Sequence, residues 1–528
     1  MSIISDMIKY SRLALDLRIF LQNRITLEQS KRVLKERLRI REQNFITLVQ
    51  KGIYQNPRNP FCRMLRAAGC EFGDIETMVN GNGIEPTLQK LLAEGVYLSW
   101  EEFKGKKDVV RGSSRFQFKQ RDLDNPFIPG WYEGRSSGSR SGGTRTKFDL
   151  KNRLEKSYYR LPMLAASNAM DYPLGCWKEV PPSMNGISNV LEFWIAGKPI
   201  ARWFSTVDER QVKSSLRDRL ALRYILYGGR LWGAKLARPE YINLGDAHKI
   251  SRWMADTRKQ FGGCSLASSV SSAVKVCHAA MERELDIRGC QFITGGEPLT
   301  EAKRQQIEAV EAFVTPTYTI SEVGRIGIGC SSGQAIDNLH LLSDSIALIQ
   351  HQRRVEHTDV PVNTFLFTPL LISAPKMLLN MESDDYGVVE TRSCDCLFGE
   401  LGFDQHLSNV RSFAKLTGNG VTIVGSDFVR ILEEALPRKY GGAATDYQLL
   451  EEEDSRGLTC LSLIISPSVG SVDDSDVIAT VLNELSKTIS SGTMTASLWS
   501  QAEALRVKRM HPIQRRGKIM TLELMKVE

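Results

Sequence analysis

The stretch FITGGEPLTEAKRQQIE (residues 292–308), followed by TYTISEVGRIGIGC (residues 317–330), decides how this chain folds. A short apolar run ending at Thr294 reads as a strand. Gly295-Gly296-Glu297-Pro298 is the turn that leaves it, a helix follows, and Tyr318, Thr319, Ser321 and Glu322 precede more glycines. This order sets an aromatic face and a carboxylate beside a backbone turn. A tyrosine ring there suits stacking on adenine, and a glutamate suits holding the Mg²⁺ that neutralises phosphate charge. The plain alternative is an ordinary α/β connection with a surface tyrosine and an exposed glutamate.

Outward from this stretch, helical segments such as Ser268 to Leu285 alternate with short apolar runs such as CQFIT between about Lys151 and Ile326. That alternation predicts an α/β layer architecture. Towards the N-terminus, Leu13, Leu17, Phe20 and Leu21 recur at helical spacing and lead into the charged run SKRVLKERLRIREQN, so residues 1–120 are expected to form a helical N-terminal extension. Residues 121–411 would form the large domain. From 412 to 528 a small α/β lid is expected: a strand VTIV, Ser426 capping the helix FVRILEEAL that Pro437 stops, a strand LSLII, a helix with Val477, Ile478, Val481, Leu482 and Leu485 on one face, and a strand LRVKRM.

With 528 residues, 42% hydrophobic and 25% charged, the chain has ordinary globular composition and room for two or three domains. Ten scattered cysteines lack the density of a secreted disulfide scaffold, so a reducing cytoplasm is the expected compartment. Asp6, Lys9 and Arg12 interrupt any secretory core, and Pro369, Pro375 and Lys376 break the best candidate for a membrane span. The net charge of +8 is spread along the whole length. No nucleic-acid-binding motif accompanies it, which favours a solvated surface inclined towards small anions such as nucleotide phosphates.

Three further segments carry chemistry. The loop WYEGRSSGSRSGGTRTK (131–147) offers successive unobstructed N–H groups beside Arg140, Arg145 and Lys147, which suits a polyphosphate. It is not a Walker loop, because Thr144 follows Gly143 where that motif needs lysine. TRSCDC (391–396) and VRSFAKLTGNG (410–420) supply Asp395, able to grip ribose hydroxyls, and Arg411, able to touch phosphate or ribose. In the C-terminal RMHPIQRRGKIMTLELM, Lys518 follows a glycine and is placed to stabilise charge on an α-phosphate.

In this order and at these separations the four segments resemble the adenylate-forming superfamily, most closely its phenylacetate-CoA ligase-like branch, from about Trp131 to the C-terminus. GGEPLTEAKRQQIE and YTISEVG look like that branch's Gly-Glu-Pro and Tyr-x-x-Ser-Glu segments. The resemblance implies ATP, Mg²⁺ and coenzyme A as cofactors and an acyl-AMP intermediate formed from a carboxylic acid with release of pyrophosphate. It assigns Ser136, Ser137, Gly138, Ser139, Gly142, Gly143, Thr144 and Lys147 to the phosphate loop and Gly295, Gly296, Glu297, Pro298 and Ser321 to the nucleotide surroundings. Tyr318 would lie on adenine, Thr319 and Glu322 near phosphate and Mg²⁺, Asp395 on ribose, Arg411 at the hinge side, and Lys518 in the lid. The hinge would be Ser412 to Lys415. Where relatives show Thr and Gly the loop has Arg140 and Ser141, and TRSCDC replaces a Tyr-Arg-Thr-Gly-Asp pattern.

Some relatives carry a structural zinc, echoed here by Cys330, His340, Cys394 and Cys396. The spacing Cys394-x-Cys396 is a poor chelate beside C-x₂-C, and Asp395 between them is wanted for ribose, so zinc is not the expectation. An amine, a carrier-protein thiol or a small nitrogen nucleophile are alternative acyl acceptors. A silent scaffold with the same fold is the alternative outside enzymology. A homodimer is left open, with no nucleic acid and no membrane span expected.

Overall fold

The computed structural model describes residues 15–524 except 106, 129–131, 136–144, 182, 207–215, 333–334, 355–360, 413–414, 419–420, 425–430, 444–445, 454–458, 488–504, 516–517 and 520–521. A twelve-stranded sheet organises the chain up to Ser412. From edge to edge it runs Ile346–Arg354, Pro361–Pro369, Met381–Thr391, Gln405–Ser412, Leu339–Leu341, Gly324–Gly329, Phe313–Ile320, Gln291–Gly295, Ser265–Ser268, Leu174–Trp177, Ile200–Ser205 and Pro239–Tyr241. Neighbours from Phe313–Ile320 to Pro239–Tyr241 are parallel, and those from Phe313–Ile320 to Ile346–Arg354 are antiparallel.

The division follows from the connections. Parallel pairing needs crossover segments, and the helices Asn185–Ile195, Ala247–Phe261, Val270–Glu282 and Glu301–Glu308 supply them. Leu174–Trp177 and Ser265–Ser268 are buried at every position, as strands covered on both faces must be. Two of these helices start on a side-chain cap: Ser269 accepts from Ser272 N at 3.1 Å and Thr300 from Lys303 N at 3.5 Å, each relieving an orphan donor.

Two cores result. One gathers Leu174, Trp177, Ile187, Phe193, Trp203, Leu266, Val274 and Phe292 around the parallel strands. The other joins Phe45, Phe61, Leu88 and Phe103 from the N-terminal helices to Leu341, Phe365, Phe367, Met377 and Leu407 of the antiparallel half. The helical region before residue 120 is therefore built into the fold. It is stitched there by Asn380 Nδ2 donating to Leu88 O (2.8 Å) and by a backbone bridge between Leu98 and Met381.

Towards the C-terminus a four-stranded sheet runs Leu505–Arg509, Thr459–Ile465, Tyr447–Glu453, Leu522–Leu524, with Val477, Val481 and Leu485 of the helix Asp474–Lys487 buried. Pro437 does not stop a helix. It sits in the first turn of Leu436–Tyr440, where a missing N–H costs nothing, directly after a π-helical turn Ile431–Ala435. Ser426 lies outside the described residues. No helix among the described residues is long and apolar enough to cross a membrane.

One buried carboxyl gives the fold a pH signature. Asp344 is fully buried beside Arg37, with the Tyr159 hydroxyl 2.8 Å from both its oxygens. Burial pushes its carboxyl up to about 6 against the pull of Arg37. A carboxyl raised in the folded state contributes stability that is complete below about pH 4 and is lost as pH rises through 6. Between pH 4 and 7.5 the wild type should lose on the order of 2–3 kcal/mol relative to Asp344→Asn in urea unfolding. Parallel pH curves for the two proteins refute it.

Candidate functional site

The parallel strands end in loops on one edge of the sheet, the place where open α/β sheets bind ligands. Gly295 pairs with Thr317 of the next strand so closely that a Cβ there would lie 2.6 Å from Thr317 Oγ1 and 2.8 Å from its carbonyl oxygen. Gly296 turns the chain with φ +95°. Glu297 then reaches back across the edge. Its carboxylate accepts from Ser271 N (2.7 Å) and Ser271 Oγ (2.6 Å), with Lys303 Nζ at 3.6 Å, and so caps the helix Val270–Glu282. The turn is held by this cap, a partnership that sequence spacing does not reveal.

The hairpin Phe313–Ile320/Gly324–Gly329 sits where the parallel half of the sheet meets the antiparallel half, and its register shifts between Tyr318 and Thr319. The Tyr318 hydroxyl donates to Asp385 Oδ2 at 2.6 Å and its ring stands edge-on to Phe367 at 6.2 Å. Burial and Asp385 push the phenol far above its usual range. Thr319 and Ser321 are exposed on either side of the turn, whereas Glu322 is buried and paired with Lys104 Nζ at 3.1 Å. Lys104 follows the helix Trp100–Phe103 in the N-terminal region, more than two hundred residues away in sequence, and nothing in its surroundings marks it as a partner of Glu322.

Behind this hairpin lies a buried charge cluster. Glu192, 1% exposed, receives Arg153 Nη1 (3.1 Å), Arg160 Nε and Nη2 (3.0 and 2.7 Å) and Arg325 Nη2 (3.2 Å). Burial pushes the Glu192 carboxyl up, but Arg160, Arg325 and Arg153 more than offset this and hold it at about 2.

Arg411 closes the strand Gln405–Ser412 and donates through Nη1 to Asp337 Oδ2 at 3.0 Å. Asp337 also accepts from the backbone of Asn409 and Val410. Asp395 is exposed and lies between Cys394 and Cys396. Those two cysteines meet Cys330 and His340, and the four ligand atoms lie within 4.8 Å of one another. Cys330 Sγ is 3.8 Å from Cys394 Sγ, Cys394 Sγ 3.4 Å from Cys396 Sγ, and His340 Nε2 2.9 Å from Cys396 Sγ. His340 Nδ1–H donates to Phe403 O at 2.8 Å, which leaves Nε2 turned towards the sulfurs. Hydrogen bonds, first from Cys396 and then from His340, hold the Cys330 thiol well below its usual range.

Three thiols and an oriented imidazole at these separations are the donor set of a closed tetrahedral zinc site. The spacing that counted against zinc is thus offset by the fold, which assembles four donors. One-residue spacing is a poor chelate only in an isolated segment, and the fold brings Cys330 and His340 up to complete the set. Gly399 makes the tight packing possible, because a Cβ there would lie 2.1 Å from Cys394 O.

Ser136, Ser137, Gly138, Ser139, Gly142, Gly143 and Thr144 lie outside the described residues. Their flanks, Tyr132–Arg135 and Arg145–Phe148, pair antiparallel, with Lys147 opposite Glu133. Pro298 follows Glu297 in the turn. Lys518 lies in the short strand Lys518–Ile519, opposite Arg515. The structure therefore brings Gly295, Gly296, Tyr318 and Glu322 together on adjoining strands and turns, and joins Arg411 to Asp337.

No protein-family model matches the chain, and no curated protein matches it. The fold is that of the adenylate-forming enzymes. In particular, the chain superimposes on 2-hydroxyisobutyryl-CoA ligase in complex with 2-HIB-AMP and CoA in the thioesterification state, with TM-score 0.53 and 14% identity over 93% of this chain and 90% of that one. The amide bond synthetase McbA from Marinactinospora thermotolerans is also matched, at TM-score 0.40 and 9% identity over 90% of this chain and 98% of that one.

Proposed function

We propose that this chain activates a carboxylic acid with ATP, forming an acyl-adenylate and pyrophosphate, and then passes the acyl group to coenzyme A. The observation that supports this most directly is the Gly295–Glu297 turn beside the Tyr318–Glu322 hairpin at the ligand-binding edge of the fold described above. The acid's carboxylate oxygen attacks the α-phosphorus as the bond to the β-phosphate oxygen breaks. Catalysis is positioning and charge stabilisation, with no covalent enzyme intermediate.

In this reading Tyr318 faces adenine, Asp395 takes the ribose and Arg411 lies beside it. Thr319, Ser321 and the 136–147 loop serve the phosphates, and Lys518, carried by the C-terminal unit acting as a mobile lid after a hinge at Ser412 to Lys415, meets the α-phosphate. Mg²⁺ would be held by Glu322 and would neutralise phosphate charge. Lys104 now supplies the positive charge at Glu322, so nucleotide binding with its metal replaces or shares that pair. Zinc held by Cys330, His340, Cys394 and Cys396 would supply a structural cross-link between the Gly324–Gly329 strand end and the segment carrying Asp395.

The test is pyrophosphate release from MgATP with a panel of carboxylic acids, with and without coenzyme A. Acid-dependent release should fall by roughly 10²–10³-fold in Lys518→Ala, the size expected for removing one transition-state charge stabiliser. Stimulation by coenzyme A identifies the acceptor, and stimulation by amines in its place moves the assignment to an amide-forming enzyme. ATP binding without release for any acid would favour the scaffold reading, in which the Lys104–Glu322 pair is permanent.

A further inference from the structure

The last crossover of the large sheet lies beside its outer edge. Between the strands Ile200–Ser205 and Pro239–Tyr241 it is made by the helix Leu216–Leu231, and Pro239–Tyr241 is the strand on which the sheet ends. One side of this helix is packed. Leu222 and Ile225 are buried. At Gly229 a Cβ would lie 2.9 Å from Leu236 Cδ1 and 3.5 Å from Leu21 Cδ1, so the glycine lets the following turn and the N-terminal segment press against the helix.

The opposite side is open. Leu220, Tyr227 and Leu231 are 55%, 55% and 84% exposed, at spacings that set all three on one helix face within about 17 Å. Arg219, Arg223 and Arg230 are exposed on the same face, and among the described residues none of them has an ion-pair partner. Residues 219–238 hold these three arginines, Lys235 and Arg238, and no aspartate or glutamate. Arg238 stands 5.2 Å from the centre of the Tyr227 ring. Large apolar side chains left together in water mark an interaction surface.

The charge selects the occupant. A second copy of the chain would meet this face with the same face, setting arginine against arginine across a two-fold axis. A nucleic-acid backbone would answer the arginines and leave the leucines in water. A leaflet of anionic lipid answers both. Leucines enter the boundary of the acyl chains, a tyrosine ring sits at headgroup level with its hydroxyl wet, and guanidinium groups meet lipid phosphates.

We propose that the exposed face of the helix Leu216–Leu231 seats the protein on an anionic lipid surface, with Leu220, Tyr227 and Leu231 entering the headgroup boundary and Arg219, Arg223 and Arg230 pairing with phosphates. The helix lies on the membrane and does not span it. The proposal does not rest on the acyl-adenylate reading, since none of these residues belongs to the candidate site.

The experiment sediments the full chain with vesicles of phosphatidylcholine alone and of an equimolar mixture of phosphatidylcholine and phosphatidylglycerol, at low and at raised salt. Wild type should bind the mixed vesicles and not the neutral ones, and salt should weaken the binding. Two double variants separate the contributions. Arg223→Gln with Arg230→Gln should lower the affinity by roughly twentyfold, about fivefold for each arginine. Leu220→Ser with Leu231→Ser should lower it by about tenfold or more. All four positions are exposed, so both variants should keep the wild-type midpoint in urea unfolding. Leu231→Ser alone, at the most exposed of these positions, stands in if a double variant folds poorly. Val110→Ser, an exposed apolar residue on the hairpin Val109–Arg111/Ser114–Phe116, should bind as wild type does. No binding to either vesicle overturns the proposal. So does binding that only the arginine pair weakens, which is adsorption of charge without an inserted face. A dimer of the free protein, seen by analytical ultracentrifugation and lost in the leucine pair, assigns the face to a second copy and overturns it too.

Discussion

Replacing Glu192 with glutamine should destabilise the large unit by about 3–5 kcal/mol, the usual loss when one partner of a buried ion network is removed and the other charges stay behind. Three arginines donate to this one carboxylate, two of them less than 10% exposed. Glutamine keeps the shape and one acceptor but leaves the guanidinium charges facing each other. Urea unfolding followed by tryptophan fluorescence measures this, and a loss under 1 kcal/mol would show that the arginines find other partners. Because the Glu192 carboxyl is held at about 2, its contribution is present above about pH 4.5 and fades only as pH falls towards 2. The difference between variant and wild type should therefore stay constant from pH 5 to 8, the window in which the Asp344 contribution changes.

The second large effect concerns the Cys330, His340, Cys394 and Cys396 centre. Protein purified without chelator should contain about one zinc per chain, and Cys396→Ser should lose it together with several kcal/mol of stability, since binding free energy at a closed structural site is folding free energy. Elemental analysis by mass spectrometry and thermal unfolding with and without 1,10-phenanthroline check both parts. A metal-free protein whose unfolding ignores chelator and substitution alike removes zinc from the account. Asp395 sits between two of the ligands, so loss of the metal should also weaken binding of ATP analogues.

Several features were legible in the sequence because they depend on local rules. The strand, glycine turn, helix and second strand of residues 291–320 follow from an apolar run, two glycines and a helical pattern, and they stand where that pattern puts them. The strands Val421–Val424 and Leu505–Arg509 and the helix Asp474–Lys487 are equally local. Pro437 misled because proline disfavours a helix interior but suits a first turn, and only the preceding π-helical turn distinguishes the two. The partners of the candidate site residues were not legible. Lys104 on Glu322, Asp385 on Tyr318, Ser271 on Glu297 and Asp337 on Arg411 are all made by tertiary structure, with no spacing to announce them. The same holds for the metal set. Cys330 and His340 lie more than fifty residues before Cys394, and a hairpin and two further strands bring them together.

The second core has a consequence for how the chain is made. Its first half, from Phe45 to Leu123, is synthesised long before the strands that cover it, and Leu98 waits for Met381 to form its backbone bridge. At roughly 5–20 residues per second that interval lasts tens of seconds. During it the apolar faces of Phe45, Phe61, Leu88 and Phe103 have no native partner from the antiparallel strands. Truncations that end before the strand Met381–Thr391 leave the N-terminal helices without the surface that covers them, and should aggregate where the full chain does not.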